Sequence, residues 1–111
     1  MQRYSYIYII LIGLIFFLFV PLNPNTYAGV LKEEAAPYRE QGYLAQERGD
    51  IETAISWYQK AANLDPDYAT PHNDLGILFE AKGWVDRAEE EYLKAIAIDP
   101  KYDKAHTNLA L

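Results

Sequence analysis

The chain has 111 residues, 50% of them hydrophobic and 14% aromatic, which suits one small domain of ordinary core composition. With 16 acidic against ten basic side chains it carries a net charge of −6, which disfavours nucleic acid or anionic lipid as a partner. It contains no cysteine, so disulfides and thiol-linked lipid are excluded and packing alone must hold the fold.

The apolar residues are unevenly spread. IYIILIGLIFFLFV, Ile7 to Val20, is an uncharged run preceded by Arg3 and followed by PLNPNTYAG, which is polar and broken by Pro21 and Pro24. A basic start, an apolar run and small residues at Thr26 and Ala28 have the layout of a secretory signal peptide over residues 1–28, with cleavage after Ala28. The alternative is an uncleaved anchor over residues 4–22, about long enough to cross a hydrocarbon core of ~30 Å. Either way the rest of the chain is expected outside the cytoplasm, periplasmic, secreted or membrane-anchored. It opens with a linker at 29–34 and carries nine basic and 16 acidic residues, a net charge of −7.

From Ala35 onward the sequence repeats itself. AAPYREQGYLAQERGDIETAISWYQKAANLDPDY, residues 35–68, aligns without gaps on ATPHNDLGILFEAKGWVDRAEEEYLKAIAIDPKY, residues 69–102, with 12 of 34 columns identical. The shared residues are mostly glycine, alanine, proline and tyrosine, which fix backbone geometry and contact distance. A period of this size predicts a solenoid of stacked units. Each unit reads as two helices. In the first, Tyr38 to Arg48 leads into a Gly49-Asp50 turn with Asp50 as N-cap, then Ile51 to Leu64 ends at Asp65-Pro66. In the second, Leu75, Leu78 and Phe79 recur at helical spacing before Gly83, and Val85 to Ile98 follows. Gly42 and Gly76 are expected to let the helices of a hairpin approach closely, making room for Tyr58 and Tyr92. A four-helix bundle of two hairpins is the competing architecture, but it requires no 34-residue identity.

These residues resemble the tetratricopeptide repeat, whose pattern is Trp-x2-Leu-Gly-x2-Tyr, then Ala-x3-Phe, then Ala and Pro over 34 positions. The second unit offers His72-x2-Leu75-Gly76-x2-Phe79, Ala88-x3-Tyr92, Ala95 and Pro100; the first offers Tyr38-x2-Gln41-Gly42-x2-Ala45, Ala54-x3-Tyr58, Ala61 and Pro66. Gln41 and Ala45 depart from it, implying looser packing of the first helix. The resemblance implies an all-α array with repeats at 35–68 and 69–102 and the start of a third at 103–111. In the last of these, KAHTNLAL aligns on TPHNDLGI. Because a solenoid end needs a polar cap, the sequence is expected to be a piece of a longer array; a short helix docked as a minimal lid is the alternative.

Chemistry is hard to find. His72 and His106 occupy one repeat position on successive first helices, where packing explains a ring better than a metal does. Glu89-Glu90-Glu91 spreads around a helix and is expected to be solvated. No nucleophile triad or phosphate-binding glycine loop can be assembled. The chain is therefore expected to be no enzyme and to take no metal or cofactor. An enzyme whose catalytic domain lies elsewhere, or a self-associating structural segment, are the alternatives.

The resemblance implies a protein or peptide partner held on the concave face of the first helices. By repeat position, that face would present Arg39, Tyr43, Gln46 and Glu47, then Thr70, Asn73, Ile77, Glu80 and Ala81, then Lys104, Thr107 and Leu111. Arg39, Tyr43, Gln46, Asn73, Ile77, Glu80 and Lys104 are the candidate contacts. Tyr43 and Ile77 would anchor a partner's side chain or cover an adjoining repeat. A carboxylate clamp, known in chaperone-binding members, is disfavoured because Asp74 stands where an amide is required.

Overall fold

The computed structural model describes residues 24–110, which form α1 (Pro24–Glu47), α2 (Ile51–Leu64), α3 (Ala69–Ala81), α4 (Val85–Ile98) and α5 (Asp103–Leu109). No strand occurs among the described residues. α1 pairs with α2 and α3 with α4 as hairpins, α3 packs on α2, and α5 packs on α4 with a lighter contact to α3. The order of contacts follows the order of the chain, as in a solenoid.

Local chemistry sets the turns. Gly49 and Gly83 have φ of 76° and 75°, the left-handed conformation that costs glycine least, and each closes the first helix of its hairpin. Asp50 then caps α2, its Oδ1 accepting from the Thr53 amide at 3.3 Å. At the hairpin-to-hairpin connections, Asp65 accepts from the Asp67 amide at 3.1 Å and Asp99 from the Lys101 amide at 3.0 Å, the same side-chain turn one period later.

Glycine at 42 and 76 is required by contact. A Cβ on Gly42 would lie 2.5 Å from the Tyr58 ring, and one on Gly76 would lie 2.3 Å from the Tyr92 ring. Those rings, 1% and 3% exposed, sit with Ala45, Ala54, Ile55, Leu75, Leu78, Phe79 and Ala88 in one apolar cluster through both hairpins. A smaller cluster of Ala69, Ala95 and Ala105 joins α3, α4 and α5. Ala45, which replaces the family's aromatic, is fully buried.

Two expectations change. Residues 29–34, read as a linker, are helical, and α1 starts at Pro24 rather than near Tyr38. VLKEEAA contains good helix formers, and Pro37, which lacks an N–H, falls inside α1, whereas its counterpart Pro71 falls in the first turn of α3, where amides have no partner anyway. Of the export segment, only 24–28 are described, as the start of α1; the signal or anchor region before them lies outside the described residues. Among the described residues no helix is long and apolar enough to cross a membrane.

Candidate protein-binding face

Period 34 governs the polar contacts as well as the core. Within the hairpins, Tyr58 Oη donates to Gln46 Oε1 at 2.8 Å, and one period on Tyr92 Oη donates to Glu80 Oε2 at 2.9 Å. Each is the polar tip of a ring whose body is buried against glycine. Burial pushes the Tyr58 hydroxyl up to about 12, with Asp74 adding to the effect, and raises Tyr92 by burial and by its bond to Glu80. A tyrosine held above its ordinary 10.0 stabilises the fold fully below that pH and loses the contribution as the pH climbs through the folded value. In circular dichroism titrations, the stability lost between pH 10 and 12 is therefore expected to shrink in the Tyr58→Phe/Tyr92→Phe variant. At neutral pH each substitution is expected to cost ~1 kcal/mol, the worth of a hydrogen bond.

Another set lies across each hairpin. Tyr38 stacks on Trp57 at 5.9 Å with Lys60 over the Tyr38 ring at 4.4 Å. The corresponding residues of the second hairpin are His72, Glu91 and Lys94: His72 Nδ1 donates to Glu91 Oε2 at 2.7 Å and Lys94 bonds Glu91 Oε1 at 2.8 Å. His72 thus occupies the place of the Tyr38 ring, but it meets α4 through a bond to the Glu91 carboxylate rather than through the ring packing expected there. Glu91, expected on a solvated face, has a side chain only 13% exposed because His72 reaches it from α3. Burial opposes its charge, yet the bonds from His72 and Lys94 hold the carboxyl below its ordinary range. Among the described residues no group of three His, Asp or Glu side chains is placed to hold a metal.

A third pairing joins one hairpin to the next. Arg39 Nε donates to Asp74 Oδ2 at 2.7 Å, linking α1 to α3, and Asn73 Oδ1 accepts from Asn108 Nδ2 at 2.9 Å, linking α3 to α5. Arg39 and Asn73 share one repeat position, Asp74 and Asn108 the next, so the same contact is ionic at one junction and neutral at the other. The Asp74 side chain is 13% exposed, and that burial drives its carboxyl above the ordinary range despite Arg39.

These contacts divide the expected site residues. Asn73 lines the groove between α1, α3 and α5, but it is 2% exposed and its side-chain oxygen is taken by Asn108, so it has little surface left to offer a partner. Gln46 and Glu80 are engaged by tyrosine hydroxyls, and Arg39 is tied to Asp74. Tyr43, Ile77 and Lys104 remain exposed, the first two at 45% and 38%. Between α1, α3 and α5 runs a groove of about 380 Å³, lined by Arg39, Asp74, Ile77, Tyr102, Lys104 and Thr107 among others. That volume is in the range of ligand clefts, ~300–1,000 Å³. Sequence reasoning missed Tyr102 as part of this surface, and missed that Asp74 pairs with Arg39 and Asn108 with Asn73; the i, i+35 offset of the two junction pairs was the available signal for the latter.

Stacked two-helix units with a 34-residue register, glycine-tyrosine hairpin contacts and a groove across the first helices define an α-solenoid of the protein-binding kind. Residues 42–83 match a family model described as TPR repeat and residues 69–102 one described as Tetratricopeptide repeat; the chain is a tetratricopeptide-repeat protein over this region. Repeats of this kind generally serve as interaction modules rather than catalysts. Among solved structures, the chain is similar to the crystal structure of MamA, with 29% identity, a TM-score of 0.65 and coverage of 68% of this chain and 44% of that one. It is likewise similar to the Arabidopsis OM64 TPR domain, with 25% identity, a TM-score of 0.67 and coverage of 71% and 65%. The chain thus spans less than two thirds of either structure's length. No curated protein matches the sequence.

Proposed function

We propose that this protein is an exported adaptor that holds a peptide or protein partner on the face formed by α1, α3 and α5. The observation that carries this reading is the groove shared by those three helices, with Ile77 and Lys104 open on its walls and Tyr43 at the position of Ile77 in the first repeat. An exposed aromatic and an aliphatic side chain in register suit an apolar anchor from the partner, and the Lys104 ammonium adds a charge to orient it. Asp74, neutralised by Arg39, offers no welcome to a terminal carboxylate. Proteins retained by the immobilised full chain are expected to be lost on Tyr43→Ala combined with Ile77→Ala while circular dichroism stays unchanged; retention of the same proteins by that variant would remove the site.

Export rests on the layout of residues 1–28. N-terminal sequencing of the mature protein is expected to begin at Gly29. Recovery of the intact N-terminus in the membrane fraction would instead mean that residues 4–22 are kept as an anchor.

A further inference from the structure

Two hairpin contacts that are equivalent in geometry differ in charge. Tyr58 donates to Gln46 at 2.8 Å in the first repeat, and Tyr92 donates to Glu80 at 2.9 Å in the second. The neutral amide shows that this contact asks only for an acceptor, so the fold does not require a negative charge at position 80. Tyr92 occupies Oε2 and leaves Oε1 to solvent. The cations nearest in sequence are committed elsewhere. Lys82 reaches back to Glu52, the Arg87 guanidinium lies over the Phe79 and Trp84 rings at 4.1 and 5.0 Å, and Lys94 bonds Glu90 and Glu91. Among the described residues Glu80 has no ion-pair partner.

Glu80 stands three residues beyond Ile77 on α3, so the two share one side of the helix and lie ~4.5 Å apart along its axis. Their exposure belongs to the face. Tyr43 and Gln46, the equivalent residues of α1, have the next hairpin packed beside their own, yet Tyr43 is still 45% exposed and Gln46 still partly exposed.

We propose that Glu80 is the cation-recognising contact of this face: the partner's segment sets an apolar side chain on Ile77 and, beside it along α3, an Arg or Lys on the free carboxylate oxygen of Glu80. This rests on the reading of the α1, α3 and α5 face given above and specifies what that face selects. Lys104, at the start of α5, and Glu80, near the end of α3, mark opposite ends of the groove, and the pair fixes the sense in which the segment lies. The net charge of −6 draws a basic segment toward the protein and repels an acidic one. Because the first repeat sets neutral Gln46 beside Tyr43, the charge preference belongs to the second repeat.

The test uses three fluorescent peptides that each carry two leucines, one for each exposed anchor, and differ only in having Lys, Gln or Glu beside the second. They are titrated with the full chain in mild detergent and read by anisotropy. The Lys peptide is expected to bind about tenfold tighter than the Glu peptide at low salt, with the Gln peptide between them, and the differences should shrink as salt is raised. Glu80→Gln, which keeps an acceptor for Tyr92 as Gln46 does for Tyr58, should leave the urea midpoint unchanged and make the three peptides equal. Tyr43→Ala/Ile77→Ala should weaken all three. Equal binding of the three by the unmodified chain, or a Lys preference that survives Glu80→Gln, would overturn the proposal and leave the face standing. Binding untouched by Tyr43→Ala/Ile77→Ala would remove the face and the proposal with it. Absence of saturable binding would overturn the proposal, while retention of proteins by the immobilised chain still decides the face.

Discussion

Gly76→Ala is expected to destabilise the fold by ~2 kcal/mol, although alanine is the better helix former by ~1 kcal/mol. The added methyl would lie 2.3, 2.6 and 2.8 Å from three atoms of the Tyr92 ring. That ring cannot step aside, being 3% exposed and held at its hydroxyl by Glu80. In the full chain, where residues 24–28 precede it in α1, Gly29→Ala is expected to do the opposite and stabilise α1 by up to ~1 kcal/mol, because nothing lies within 4 Å of the new methyl. Urea unfolding of the two variants checks the opposed signs. In a Tyr92→Leu background the cost of Gly76→Ala should largely vanish, which a cost due to the glycine backbone alone would not do.

Arg39→Met is the second large effect, expected to cost ~2 kcal/mol at neutral pH because it leaves the buried Asp74 carboxylate without its partner. Burial already raises the folded pKa of Asp74, and losing Arg39 raises it further, so the folded variant binds a proton that the unfolded chain releases. The deficit should therefore be greatest at neutral pH and shrink as the pH falls through that raised value toward the ordinary 3.8. Converting the ionic junction into a copy of the neutral one, Arg39→Asn with Asp74→Asn, should recover most of the loss, as the Asn73–Asn108 bond shows that the position accepts paired amides. Thermal unfolding at several pH values separates these outcomes. A pH-independent deficit would mean that the guanidinium contributes by packing rather than by charge.

The architecture was legible because the residues that recur at period 34 are those that backbone geometry and close contact restrict. Gly49 and Gly83 mark left-handed turns, Gly42 and Gly76 mark touching rings, and Asp65-Pro66 and Asp99-Pro100 mark helix ends. The binding face was legible only in part. Helical spacing gives the direction of Asn73 on its own helix, but its burial depends on Asn108, which lies on another repeat. Gln46 and Glu80 read as contacts for a partner and Glu91 as a solvated residue, whereas the three bond Tyr58, Tyr92 and His72, contacts that require knowing which helices pair. The length of α1 escaped because Pro37 reads as a start signal when the residues before it are also good helix formers.

That the face of α1, α3 and α5 holds a protein partner is tested most directly by site-specific photo-crosslinking in the cell. A photoreactive residue at Ile77, on the groove, is compared with one at Gln59, which borders the opposite groove near His72 and Glu91. A discrete adduct from position 77 that is absent from position 59, and that disappears when Tyr43→Ala is added, is the expected result. Adducts from position 59 alone, or equally from both, would contradict it.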